Sequence, residues 1–475
     1  MRCLPLLVAL GLAGCAHIPP DQHKLAPRDA RAVQLAPGIA LGRSAWPERH
    51  WWTQFGDPQL DALIGQALAS APSLDIAATR IDAARAVLAM DGADSGPTAG
   101  LVARQDRQRY SGNGLFPEPI GGNYFSDSVV QLRAGYDLDW WGKHKAQIRA
   151  ALGEVNAREA DYAQAEQSLA AVIATTYFRI QGQWAHADLL KQRIAVQDAV
   201  LRDSGKRVNA GLATIAEQRS AEATAATLRR QAELLGLHAA SEREALRALL
   251  GADAGALAAL HPVALPKADP ALPAALGLEL LARRPDLQAA RWRVEAALGK
   301  VDAERAAFYP QVNLSGAIGL DTLSISTLLQ TASRTLLGAV DVAVPLFDAK
   351  RLDARLGAAR AERDEMIADY NQTVFNAVRD VAQQGVTLAG IERETRQQAD
   401  VLKATRALLA GAQARMAQGL AAQQAVLAAQ DELLKQQDGE LDLHHQSLLA
   451  QVALAKALGG GYRAGPQQTQ KDNHE

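Results

Sequence analysis

The stretch Arg207-Val-Asn-Ala-Gly-Leu-Ala-Thr214 lies between two long segments with helical spacing, roughly residues 143–206 and 214–250. It returns in the second half as Arg415-Met-Ala-Gln-Gly-Leu-Ala-Ala422, so that Arg207, Gly211, Leu212 and Ala213 match Arg415, Gly419, Leu420 and Ala421. In the first long segment Leu169, Ile173, Thr176, Ile180, Trp184, Ala187, Leu190 and Ile194 are spaced by threes and fours, which is one face of a helix. Beyond the turn, Ala221, Ala225, Leu228, Ala232, Leu235 and Ala239 continue the pattern. No proline falls between Pro119 and Pro262. A helix over 143–206 would be on the order of 95 Å long at 1.5 Å per residue. Such a helix buries its apolar stripe only by lying along other long helices. Two glycine-marked turns between helices of this length therefore constrain the fold more than any other feature.

The 475 residues carry 50 basic against 52 acidic side chains, and this near balance argues against nucleic acid as a partner. Aromatics are only 5%. Alanine is abundant, and small side chains let helices approach closely.

The N-terminus begins with one positive charge and an apolar run, Met1-Arg-Cys-Leu-Pro-Leu-Leu-Val-Ala-Leu-Gly-Leu-Ala-Gly-Cys15. This is the pattern of an export signal, too short for a spanning anchor. Leu12-Ala-Gly-Cys15 resembles the bacterial lipoprotein box, which implies cleavage before Cys15 and a lipid on it. Cys3 would leave with the signal, so no disulfide is expected in the mature chain. The next residue is Ala16, not the aspartate that in such lipoproteins often signals inner-membrane retention. The outer membrane is the expected destination.

Residues 16–50 form an aperiodic lead. Asp57-Pro58 starts a helix with Leu60, Leu63, Ile64 and Leu68 on one face, and Pro72 opens another, to about Asp91. Residues 98–110 lose the helical period and read as a strand. Val130, Leu132, Ala134, Tyr136 and Leu138 then alternate with Gln131, Arg133, Gly135 and Asp137, a strand with one apolar and one polar face. A proline-rich stretch, 251–284, is a linker with a short helix. The order then restarts: a helix from Arg283-Arg-Pro-Asp-Leu287 to about Ala307, a strand with Val312, Leu314, Ile318 and Leu320 opposite Asn313 and Ser315, and a strand with Leu336, Val340 and Val342 opposite Asp341. A long helix (about 349–410), the second turn and a last helix (about 420–457) follow. In the last one Leu427, Leu434, Leu441, Leu448 and Ala455 repeat at seven, a coiled-coil seam. A polar tail from Gly459 is expected to be disordered. The chain thus reads as a duplication. Its segments are a signal peptide (1–14), a lipidated N-terminal segment and helix (15–71), a first repeat (72–250), the linker (251–284), a second repeat (285–458) and the tail (459–475).

The apolar strand faces could meet helices in a small α+β sandwich or meet lipid. Lipid is favoured by the export signal, by strands of the length a tilted barrel strand needs, and by Gln131, Arg133, Asp137, Asn313, Ser315 and Asp341, which suit a wet lumen. Four strands cannot close a barrel, and an open edge in lipid leaves unpaired backbone groups costing several kcal/mol each. The lipid reading therefore requires an oligomer.

With the lipoprotein box, Trp51-Trp52, Phe55-Gly-Asp-Pro-Gln-Leu60, Arg283-Arg-Pro-Asp-Leu287, Phe308-Tyr-Pro-Gln311, Val344-Pro-Leu-Phe-Asp348, both Gly-Leu-Ala turns and Ala457-Leu-Gly-Gly-Gly-Tyr462, the chain resembles the TolC-like outer-membrane factor family over nearly its whole length. It is most similar to the lipoprotein branch associated with resistance-nodulation-division (RND) transporters. The resemblance implies a mostly α fold with β: a duplicated helix-strand-strand-helix-helix unit, assembled as a homotrimer with a twelve-stranded outer-membrane barrel continued by a long periplasmic α-helical barrel. It implies a passive exit duct for drugs, toxic compounds or metal ions, fed by an inner-membrane RND transporter through a periplasmic adaptor. No cofactor is implied beyond the lipid on Cys15. The alternatives are the channel of a type I protein secretion system and a periplasmic coiled-coil scaffolding lipoprotein.

The candidate adaptor-docking tips are Arg207, Gly211, Leu212, Ala213 and Thr214 with Arg415, Gly419, Leu420 and Ala421. Relatives often carry acids a few positions after the second glycine. Here Gln423, Gln424, Ala425 and Ala428 stand there, and the first acids are Asp431 and Glu432. An acidic constriction ring is thus not expected. Trp140-Trp141 read equally as an interfacial anchor and as junction packing. His444-His445, adjacent and so not sharing a helix face, read as solvated. No catalytic motif and no metal-ligand spacing appears.

Overall fold

The computed structural model describes residues 18–21, 24–28, 46–267, 283–345 and 347–463. A 3₁₀ turn, Trp51–Phe55, precedes α1 (Pro58–Ser70) and α2 (Pro72–Asp94), then β1 (Thr98–Arg109) and β2 (Tyr124–Asp137), α3 (Lys143–Asn209) and α4 (Ile215–Leu249). The second half runs α5 (Pro285–Ala306), β3 (Gln311–Thr322), β4 (Arg334–Ala343), α6 (Ala349–Ala417) and α7 (Gln423–Ala457). Helix, strand, strand, long helix, turn and helix therefore occur twice in the same order. The chain divides into two compact units. One holds residues up to Pro27, Arg80–Arg158 and Ala289–Tyr370, and the other holds Arg28–Thr79, Glu159–Gln288 and the chain from Asn371 on.

In the first unit the four strands form one antiparallel sheet in the order β1-β2-β3-β4. The helices join it at one end and the β1–β2 and β3–β4 loops lie at the other. Beside it Val301, Phe308, Leu352, Leu356 and Ala359 form a buried cluster that Ile18 of the lead packs against. The lead continues along α6: Arg360 donates to the Pro19 carbonyl (2.8 Å) and Asp21 accepts from Arg363. That hydrogen bond, with the charges of Arg363 and Arg360, holds the Asp21 carboxyl below the usual range. Alanine and glycine set the helix contacts here. A Cβ on Gly153 would come 2.9 Å from the Ala296 backbone nitrogen, and one on Gly299 would come 2.8 Å from that of Ala150. Helices α3 and α5 thus approach at backbone contact, as the alanine-rich composition leads one to expect.

In the second unit Trp51, Trp52 and Phe55 pack with Leu60, Ile64, Ile173, Tyr177, Phe178, Leu246, Leu448 and Val452. Asp57 joins this core to its helix start. Its Oδ1 caps α1 by accepting from Gln59 N–H (2.9 Å), while Oδ2 accepts from the Tyr177 hydroxyl (2.5 Å). Burial, then the bond to Asp57, pushes the Tyr177 phenol well above its ordinary value. Arg284 is buried between Asp286 (2.6 Å) and Asp380 (3.4 Å) and donates to the last helical carbonyl of α7, that of Ala457 (3.0 Å).

The structure corrects several expectations. Strand β2 starts at Tyr124, six residues before the apolar alternation begins. Ser126 and Ser128 replace apolar residues there, which hides the period. Helix α6 runs on to Ala417; residues 413–417 are all exposed, so no apolar stripe marks its last turns. The chain from Gly459 to Tyr462 is folded, not loose: a Cβ on Gly459 would overlap the Arg283 carbonyl, and Gly459 and Gly460 are buried. The expected disorder can refer only to residues from 464, which lie outside the described residues. Within the linker, 251–267 forms turns and extended chain. The short helix expected there is absent from this part, and residues 268–282 are outside the described set, as is Cys15. His445 is buried, its ring against Gly182, and His444 bonds the Pro266 carbonyl (2.8 Å). Neither is solvated, because α7 is embraced on more than one side.

Candidate docking turns and lumen face

The sheet register sorts the strand residues into two faces. Opposed residues of antiparallel strands share a face. Leu101, Leu132, Ile318 and Leu336 stand in one row, and Tyr136, Leu314 and Val340 in another of the same face. Most of these side chains are exposed although large and apolar. On the other face Asp137, Asn313 and Asp341 form a row. Ser315 Oγ donates to Asp341 (3.0 Å), Arg133 to Gln131 (3.3 Å) and Gln131 to Thr335 Oγ1 (3.4 Å). All six residues expected on a polar face are brought onto one. The same face carries charges that the alternation did not single out: Arg104 pairs with Asp106 (3.0 Å) and Asp127 (3.5 Å), and Asp321 stands opposite Val129. Extending the period-two count back to Tyr124 would have found Asp127.

Each edge strand, β1 and β4, is hydrogen-bonded on one side only among the described residues. Just past β2, Trp140 is exposed, whereas Trp141 stacks on Tyr309 (4.5 Å, 14°) and donates to the Pro310 carbonyl (2.7 Å). Both rings remain exposed, 67% and 48%, but only Trp141 makes these junction contacts among the described residues.

Both glycine turns close with the same two bonds. Leu212 N–H reaches Arg207 O (2.8 Å) and Gly211 N–H reaches Val208 O (3.0 Å); Leu420 N–H reaches Arg415 O (2.8 Å) and Gly419 N–H reaches Met416 O (2.9 Å). This is the Schellman arrangement, which needs a left-handed residue after the helix. Gly211 and Gly419 supply it with φ of 68° and 75°. The motif usually packs its following apolar residue back on the helix. Leu212 and Leu420 instead are 71% and 72% exposed. Turn geometry accounts for the glycines and leaves the leucines unexplained.

Above the turns α3 and α7 meet in a coiled-coil seam, where Leu189 and Val196 pack with Leu427 and Leu434. Polar pairs flank it: His186 with Asp438 (2.7 Å) and Arg193 with Asp431 (3.1 Å). Nearer the turns Arg207 donates to Gln424 Oε1 (2.5 Å). Asp431 is therefore engaged with Arg193. Among the described residues no His, Cys, Asp and Glu group is arranged to hold a metal ion.

The model of the family described as outer membrane efflux protein matches residues 63–252 and 276–460, which is most of the chain. The chain belongs to the outer membrane efflux protein family. It is an outer-membrane component of efflux, not an enzyme. It is 37% identical to the multidrug resistance outer membrane protein MdtP of Escherichia coli (strain K12), over 96% of this chain and 95% of that protein. It is 35% identical to MdtQ of Escherichia coli O6:H1, over 98% of each. Among solved structures, the outer-membrane channel OprN superposes with a TM-score of 0.82 at 26% identity, covering 94% of this chain and 99% of that one. VceC of Vibrio cholerae superposes at 0.79 and 28%, covering 88% and 100%. As in that family, the fold is TolC-like: mostly α, with one antiparallel sheet. The interhelical pairs of this family member were not apparent in the sequence because the partners lie on helices far apart in the chain. Their spacing by seven, 186 and 193 against 431 and 438, was the available signal.

Proposed function

We propose that this chain forms the exit duct of a tripartite efflux pump, as a homotrimer with a twelve-stranded barrel in the outer membrane. The observation that carries this reading is the sheet. It has one apolar exposed face, one polar face and, among the described residues, two unpaired edges, and edges in lipid are tolerated only when another strand covers them. Three copies supply twelve strands, enough for a water-filled lumen rather than a plugged interior. The polar face of Gln131, Arg133, Asp137, Asn313, Ser315 and Asp341 would line that lumen. The duct has no energy source of its own. An inner-membrane RND transporter would supply it, through a periplasmic adaptor that docks on the two glycine turns; the exposed Leu212 and Leu420 support that role. The names of MdtP and MdtQ favour drugs as cargo.

Lipidation of Cys15 is part of the proposal. The lead is pinned along α6 from Ile18 onward, and three residues span at most about 11 Å. A lipid on Cys15 would thus stay close to the Phe308–Leu352 cluster beside the sheet. Labelling with a radioactive fatty acid should mark the wild type and not Cys15→Ser.

The function is tested in planar bilayers and in cells. Detergent-extracted protein should be trimeric and conduct ions, and a deletion strain should regain drug resistance when it is expressed with its transporter and adaptor. Soluble monomers after removal of the lipid would instead fit a scaffolding lipoprotein. Restored protein secretion without restored resistance would fit a type I secretion channel.

A further inference from the structure

The apolar face of the sheet changes character toward the loops. Through Leu101, Leu132, Ile318 and Leu336 it is apolar. Beyond that row the same face carries Arg107, Arg109 and Arg334, all exposed. The register fixes their side: Arg107 stands opposite Ser126, Arg109 opposite Tyr124, and Arg334 opposite Leu320. No Asp or Glu of the four strands shares it. Asp106, Asp127, Asp137, Asp321 and Asp341 all lie on the polar face. The β3–β4 loop, 323–333, contains no charged residue. Arg107 lies over the Tyr124 ring (5.4 Å), an amphipathic ring of the kind that settles at a membrane boundary. Outward charge on the strands at the loop end is thus entirely guanidinium and borders an apolar band, and the two loops add one acid, Glu118 of the β1–β2 loop. Solubility in water would be served by either sign of charge. Three arginines on a strand face that carries no strand carboxylate, against the single Glu118 in the loops, fit an anionic layer next to hydrocarbon. Guanidinium groups bind phosphate oxygens in pairs.

We propose that Arg107, Arg109 and Arg334 form a rim that binds the phosphate-bearing headgroups of the membrane leaflet at the loop end of the sheet. This rests on the apolar face being the lipid-facing one. Each cation near an anionic surface strengthens binding by roughly fivefold, so three should be readily measurable.

The test uses the full-length assembled protein in detergent, incubated with lipid A bearing two phosphates, with dephosphorylated lipid A, or with inorganic phosphate. Bound molecules are counted by native mass spectrometry. Wild type should retain the phosphorylated lipid at least about tenfold better than R107Q/R109Q/R334Q, and neither protein should prefer the dephosphorylated lipid. The triple lysine variant should keep part of the binding and controls for assembly. Equal retention by wild type and the glutamine variant would overturn the rim, as would equal capture of inorganic phosphate alone. Leu132→Trp in vesicles of brominated phosphatidylcholine separates the premise from the proposal. Quenched fluorescence with equal retention sinks only the rim, whereas unquenched fluorescence sinks the lipid-facing sheet and the rim with it.

Discussion

The two glycine turns share their backbone and differ in what holds them. After the first, Thr214 and Glu217 form a reciprocal capping box at the start of α4. Arg207 adds bonds to the Leu212 carbonyl (3.3 Å) and to Gln424 (2.5 Å), and an ion pair with Glu217 (3.6 Å). After the second, Ala422 occupies the cap position and has no side-chain cap, and Arg415 is exposed. The first turn is braced by its own side chains, while the second has its two backbone bonds and only the bond that Arg207 of the first turn makes to Gln424. Duplicated sequence has thus kept the turn and the exposed leucine and let the bracing diverge. What the two turns share is an exposed leucine; what differs is how firmly each presents it.

The largest effect should come from that shared surface. Leu212→Glu or Leu420→Glu should each lower resistance by at least about tenfold, since a carboxylate desolvated in an apolar contact costs several kcal/mol. Trimer yield should be unchanged, because neither side chain is buried. If both variants keep full efflux, the turns are not the docking tips. Bulky or charged replacement of Gly211 or Gly419 should also abolish efflux in assembled trimers, the backbone strain alone costing about 1–2 kcal/mol.

The bracing gives the next effect. Thr214→Ala should remove about 1 kcal/mol of local stability and speed amide exchange over 214–218 toward the rate at 422–426. Ala422→Thr should slow exchange at the second turn by a comparable factor. Were the wild-type turns to exchange equally, the asymmetry would have no dynamic content. Arg207→Ala should loosen both turns through the lost Gln424 bond, whereas Arg415→Ala should change stability by no more than about 0.5 kcal/mol.

Acid should have the smallest effect on the comparison, since neither turn segment, 207–222 or 415–428, contains histidine. It acts instead at His445, whose pKa burial depresses, with the His186 and Arg179 charges adding. A histidine kept neutral in the native state makes stability complete above the unfolded pKa of about 6.5 and declining as pH falls below it. Arg179, His186, His238, Glu242 and Asp442 face the same cavity. Melting temperature should therefore drop between pH 7.5 and 5.5, and His445→Gln should flatten that dependence. Amide exchange, corrected for its intrinsic pH dependence, should show the same ratio between turns at both pH values.

Much of this was legible from residue spacing. Heptad and three-four repeats named the long helices, and glycines marked their turns, because one helix face or one left-handed residue is a local requirement. Period-two alternation found the strands where one face is apolar and the other polar, and lost them at Tyr124–Val129, where Ser126 and Ser128 interrupt the apolar face and Phe125 and Val129 put apolar side chains on the polar one. By itself the sequence determined the duplicated order of elements, the two turns and the two-faced strands. Only the tertiary structure decided that His445 is buried, that Arg193 takes Asp431, that Gly459 packs on Arg283, and that Thr214 braces a turn whose counterpart has only Ala422. Each of these depends on which helix lies beside which. A local pattern reports a residue's own face, not the chemistry of the side chain brought against it from a distant part of the chain.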